Sequence, residues 1–334
     1  TGAKSATVTV EGVLSVASDK VLNAGNSSLE FKGSGSPFVV SGSLQASTSV
    51  ISFTSTSGTT TIPTVAYYDL ETNPVSGSPD FVTDAGSLTV SNNLTVKGGG
   101  SGRFNASSSN TQLITNGSLV IGSNQTFYAP ASTTIGNNFT NNGSFYHNNG
   151  AVIFAPNSTS TISGTSTTFY NLRIVTPGTE LRFQAASGGI PLFTIQGQFT
   201  VSGSPDSLIV INSDTDSTQW LVYFISTQNN IQYAYVINSG CHASSASVTN
   251  NNNSNGGNNG SCWSFSMGGG GSVIPSGYYG TGGPDGAPIE SGSGGGDQQA
   301  SNNNNNPGGA AEGSGGGDQQ QSSSGQSGGG GASP

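Results

Sequence analysis

Few residues in this chain have types and spacing suited to chemistry. His147 and His242 are its two histidines. Neither has cysteines or carboxylates nearby at metal-ligand spacing. Neither accompanies a serine in a nucleophile motif. Both read as surface or hydrogen-bonded side chains. Paired carboxylates could cleave a polysaccharide by acid and base catalysis. Asp69 with Glu71, Asp80 with Asp84, and Asp214 with Asp216 are the close sets. Asp214 and Asp216 lie in Asn212-Ser-Asp-Thr-Asp-Ser217, an oxygen-rich turn and a weak Ca²⁺ candidate. A polar turn between strands is the plainer reading. Gly98-Gly-Gly-Ser-Gly102 lacks the strand-to-helix context of a phosphate loop and reads as a connection. The expectation is no catalytic residue, no cofactor and no enzymatic activity.

Cys241 and Cys262 are the only cysteines. They suit one bridge in an oxidising compartment, with two buried free thiols as the alternative. Asn-x-Ser/Thr occurs no more often than this composition gives by chance. Asn93, Asn116, Asn138, Asn142 and Asn157 are the N-glycosylation candidates, and sugars on Ser or Thr are an equal alternative.

The chain as a whole narrows the setting. Only 7% of its 334 residues are charged, with 7 Lys and Arg against 16 Asp and Glu. Such a surface cannot track nucleic-acid phosphates. The longest apolar run, residues 220–225, is too short to span a membrane. The chain starts at Thr1 with no basic, then apolar, leader segment. The expectation is an exported protein whose leader has been removed. Composition changes sharply at residue 267. All seven basic residues and eleven acids precede it; residues 267–334 hold five acids, no base and 24 glycines. That Gly/Ser/Asn/Gln-rich tail cannot bury enough apolar surface to order itself. Within it, Gly292-Ser-Gly-Gly-Gly-Asp-Gln-Gln299 recurs at 313–320. A linker duplication explains this, or a tail that contacts a neighbouring subunit.

Residues 1–266 must position everything else. They consist of short alternating segments such as Ala6-Thr-Val-Thr-Val10, Leu88-Thr-Val90, Leu119-Val-Ile121 and Phe199-Thr-Val201. Period two with Val, Ile, Thr and aromatics signals strands. Asn-Gly or Asp-x-Gly precedes many of them, as in Asn116-Gly-Ser-Leu-Val-Ile121, and suggests corners needing positive φ. Aromatic landmarks repeat at offsets of 100–105. Phe53 matches Phe154, Ile62 matches Ile162, Tyr67-Tyr-Asp-Leu70 matches Phe169-Tyr-Asn-Leu172, and Leu94 matches Phe199. This predicts two related halves, about 30–100 and 133–203, followed by a closing module of about 204–266. A hairpin-built β-sandwich would suit short strands. Variable corners and recurrent Asn favour an all-β parallel β-solenoid, or β-helix. At roughly 22 residues per coil, it would have about 12 coils and a length of ~60 Å.

Phe169-Tyr-Asn-Leu-Arg-Ile174, Gly136-Asn-Asn-Phe-Thr-Asn-Asn-Gly-Ser-Phe145 and Asn149-Gly-Ala-Val-Ile-Phe154 resemble repeats of large exported β-helix surface proteins of environmental bacteria. Trp220, Ile231-Gln-Tyr-Ala-Tyr-Val-Ile-Asn-Ser239, Asn258-Asn-Gly-Ser-Cys-Trp263 and Phe265 resemble their closing module. The two cysteines depart from that pattern. The resemblance implies an extracellular, adhesin-like or scaffold protein and no reaction. The expected role is structural: a subunit of a self-assembling cell-surface filament or layer, held by solenoid ends and tail contacts. A glycan-binding adhesin is the alternative, and a polysaccharide-degrading β-helix the more distant one. The expected partners are other copies of the chain and, as a second class, surface glycans.

Overall fold

In the computed structural model, residues 6–109, 112–252 and 254–266 are described. The tail of residues 267–334, with its duplicated segment, lies outside them. The described strands form a parallel β-solenoid of about eleven turns, and no described residue is helical. At ~4.8 Å per coil the described turns extend ~53 Å. The hairpins of a β-sandwich are not found among the described residues, because strands pair in parallel with the next coil rather than with their neighbour in sequence.

Each complete coil places one strand on each of three faces. The first face is a twelve-stranded sheet running from Thr7–Val10 to Ser254–Asn255. The third is a ten-stranded sheet from Ala66–Tyr67 to Trp263–Ser266. The second is interrupted. A five-stranded sheet runs from Thr59–Ile62 to Ser144–Tyr146, and a four-stranded one from Thr167–Phe169 to Ser239–Cys241. The first two coils pair Leu14–Val16 with Phe38–Val40 and Val21–Asn23 with Ser43–Gln45.

Alternation explains the core. In-register partners on the first face place Leu29, Ile51, Leu70, Leu94, Leu119 and Phe139 one above another, all buried. On the second face Phe81, Phe104, Phe127 and Phe145 form an inward column. Phe104 and Phe127 stack at 5.3 Å, nearly coplanar at 1°. Each such ring removes a large apolar area from water, at roughly 25 cal/mol per Å².

Side chains link coils at the corners. Entering the first face, Asp69 Oδ1 accepts the Asn93 N–H at 2.9 Å, and Asn93 Oδ1 accepts the Ser118 N–H at 2.9 Å. Ser118 Oγ accepts from Asn138 N at 3.3 Å, and Asn138 Oδ1 from Thr161 N at 2.8 Å. The ladder satisfies backbone donors where the strands bend apart.

The glycines of the Asn-Gly corners act differently from the expectation. Gly117 does not have positive φ. A Cβ there would overlap the Asn92 carbonyl of the preceding coil. Close coil approach, not left-handed backbone, excludes a side chain. Left-handed backbone occurs instead at other glycines, Gly86 after Asp84 among them, and at asparagines including Asn124, Asn149, Asn238 and Asn258.

A further expectation changes. Matched landmarks such as Phe53 and Phe154 lie fourteen strands apart, and fourteen is not a multiple of three. Phe53 therefore sits on the first face and Phe154 on the third. The two halves repeat strand by strand but not coil by coil, and one coil takes 19 residues from Ile51 to Leu70 and 30 from Leu181 to Ile211. The Asn-rich stretch 242–261 also belongs to the solenoid. It is a full turn of the solenoid, with strands at Val248–Asn251 and Ser254–Asn255 and a buried Val248.

Candidate functional site

Two surfaces stand out against a body whose side chains mostly bond one another: the first coil, and the corner between the second and third faces.

At the first coil, Thr7–Val10 pairs only with Ser28–Phe31, so its other edge is open among the described residues. Val8, in register with the buried Leu29, would continue the core and is exposed by 48%. Val13 and Val21 of the same coil are exposed by 67% and 54%, Val21 on the outer side in register with exposed Ser43. An unpaired edge beside apolar side chains is a template for another strand. The opposite end is built differently. Trp263 packs edge-on against Phe224 at 5.3 Å and donates Nε1–H to Ser239 Oγ at 2.8 Å. Cys241 and Cys262 are disulfide-bonded, tying the closing turn to the coil before it. An Asn ladder, Asn212–Asn238–Asn258, runs from the two buried asparagines to the exposed Asn258 at this end.

At the corner, three successive coils carry a Phe-Tyr pair. Phe127, Phe145 and Phe169 turn inward, and Tyr128, Tyr146 and Tyr170 face outward. Tyr128 and Tyr146 stack at 4.8 Å with 12° between planes. His147 stacks on Tyr170 at 5.7 Å. The Asn149 N–H donates to His147 Nδ1 at 3.0 Å, and the Gln196 side chain hydrogen-bonds the ring. Burial lowers the His147 pKa, and the Gln196 contact partly opposes this. Sequence reasoning singled out His147 but missed the tyrosines. The signal was the Phe-Tyr dipeptide, repeated at 127, 145 and 169.

The remaining predicted residues are dispersed. His242 repeats the local arrangement of His147: its Nδ1 accepts the Ser244 N–H at 3.3 Å and its ring lies 4.7 Å from Tyr223. Asp214 Oδ1 accepts the Ala185 N–H of the preceding coil at 2.8 Å, while Asp216 is exposed in the same turn. No cluster of three or more metal-ligating side chains occurs among the described residues. Glu71 pairs with Lys97 at 2.8 Å, Asp80 with Arg103 at 2.6 Å, and Asp69 belongs to the corner ladder. The Gly98–Gly102 connection lies against residues 74–77 of the coil before it, too close for Cβ atoms. Among the glycosylation candidates, Asn116, Asn142 and Asn157 are exposed, whereas Asn93 and Asn138 are half-buried with their amide oxygens engaged.

No protein-family model, curated protein or solved structure matches the chain. The class of protein is therefore defined by its fold alone, a three-faced parallel β-solenoid. That fold is compatible with a structural or adhesin-like role. The disulfide is compatible with secretion. No helix is long and apolar enough to cross a membrane among the described residues.

Proposed function

We propose that the chain is an extracellular, non-enzymatic structural protein that assembles end to end into a cell-surface filament or layer. The observation that carries this is the open first coil. Among the described residues, three of the seven large apolar side chains that are well exposed, Val8, Val13 and Val21, lie on it, and its strand Thr7–Val10 has a free edge. The first face also ends in a free edge at Ser254–Asn255 among the described residues. Joining unlike ends keeps strands parallel and leaves an open end on each new subunit. Such a heterologous contact does not close and gives a filament. The engagement of carboxylates in ion pairs and ladders supports the non-catalytic reading. The likeness to exported β-helix surface proteins supports a place at the cell surface.

The test is electron microscopy of the purified chain with sedimentation at increasing concentration. Regular fibres or sheets are expected, lost in a Val8→Lys/Val21→Lys variant that keeps the circular dichroism of the parent. Truncation after Ser266 separates the contribution of residues 267–334. Isolated rods of ~53 Å at every concentration would sink the assembly reading.

A further inference from the structure

We propose that the corner carrying Tyr128, Tyr146, His147, Tyr170 and Gln196 binds a neutral, hexose-based polysaccharide, with Tyr146 as the stacking platform. This goes beyond the assembly reading and does not rest on it. Among the described residues, Tyr146 is the one aromatic ring among the well-exposed large apolar side chains, at 51%. Its exposure follows from the break in the second face. Ser144–Tyr146 is the last strand of its sheet, and Thr167–Phe169 pairs onward with Leu192–Ile195 instead. Tyr128 stacks on one side of the Tyr146 ring.

The chemistry of the corner selects the ligand. Its five side chains carry no formal charge, since His147 takes an N–H at Nδ1 and burial favours its neutral form. They offer hydroxyl, imidazole and amide groups beside aromatic surface. A pyranose has C–H faces for a ring and hydroxyls for the polar groups, whereas an anionic sugar would find no counter-charge among these five side chains. Spacing adds a second argument. Tyr128, Tyr146, Tyr170 and Gln196 stand on four successive coils, with Gly197 N–H bonded to Tyr170 O at 2.8 Å. The coil spacing of ~4.8 Å is close to the length of one pyranose ring. A chain lying along the axis meets one of these side chains per sugar.

The experiment is calorimetric titration of the full chain with cello-, manno- and laminari-oligosaccharides of two to six sugars, and with hexagalacturonate. At least one neutral series should bind, with affinity rising to four sugars and then levelling. Tyr146→Ala should weaken it about tenfold, and Tyr146→Phe should stay within about twofold, because the ring face is what stacks. Tyr146 is on the surface, so both variants should keep the parent's melting curve. Failure of all three neutral hexasaccharides to bind at millimolar concentration would overturn the proposal. So would tighter binding of hexagalacturonate, or a Tyr146→Ala affinity equal to the parent's.

Discussion

Cys241 and Cys262 occupy successive coils, with Cα atoms 5.9 Å apart, and the Cys262 N–H points at Cys241 Sγ at 3.1 Å. The bridge therefore joins the closing turn to its neighbour beside Trp263. The turn it encloses contains few apolar anchors, with Val248 its buried one on the third face. Terminal coils of a solenoid contact one neighbour only and open first.

Removing the bridge should loosen that end alone. A Cys241→Ser/Cys262→Ser variant loses on the order of 3 kcal/mol in the chain-entropy description of a loop this size. Hydrogen exchange followed by mass spectrometry should speed up over residues 242–266. It should stay unchanged over the central coils, 88–174. Equal acceleration along the whole solenoid would show instead that the bridge supports global rather than local stability.

Asn238 does two jobs that substitution can separate. Its backbone is left-handed at φ 55°, and its amide both donates to Asn212 Oδ1 at 3.2 Å and accepts from Asn258 Nδ2 at 2.8 Å. Asn238→Gly keeps the backbone and breaks the ladder, which should cost about 1–3 kcal/mol. Asn238→Ala adds the strain of positive φ, roughly 1 kcal/mol more. Urea melts of the two variants measure the difference. An alanine variant as stable as the glycine one would mean the strain is relieved elsewhere.

His147 should make the protein slightly acid-sensitive. Burial lowers its folded pKa from 6.5. The unfolded chain therefore binds the proton more readily. Its stabilising contribution is present above the unfolded pKa and is lost as pH falls through the folded one. A nuclear magnetic resonance titration should place its midpoint below 6.5, and His147→Gln should flatten the stability profile between neutral and acidic pH. A midpoint at or above that value would remove the effect.

Much of the molecule was legible in the sequence. Period two in Ala6–Val10, Leu88–Val90 and Leu119–Ile121 announces strands with one buried side, and such segments cannot sit still as helices. The apolar stretches at 220–225 and 231–237, within the expected closing module, lie in the tenth and eleventh coils. The Phe-Tyr pairs were visible too, but their meaning was not. Whether Tyr146 is a buried or an exposed ring depends on the sheet break beside it, which no local pattern records.

The same limit explains the misleading repeat. Alternation fixes which side chains of a strand point inward, because successive Cβ atoms oppose one another. It says nothing about which face the strand joins. That depends on how many corners precede it and how long each one is, and those lengths vary from coil to coil. Phe53 and Phe154 thus share a strand pattern and a buried side yet lie on different faces. The sequence determined strands, their inward sides and the position of the closing coils. Only the closed coil, through backbone pairing between residues 15–30 apart, decided which side chains stand in one column and therefore which surfaces exist.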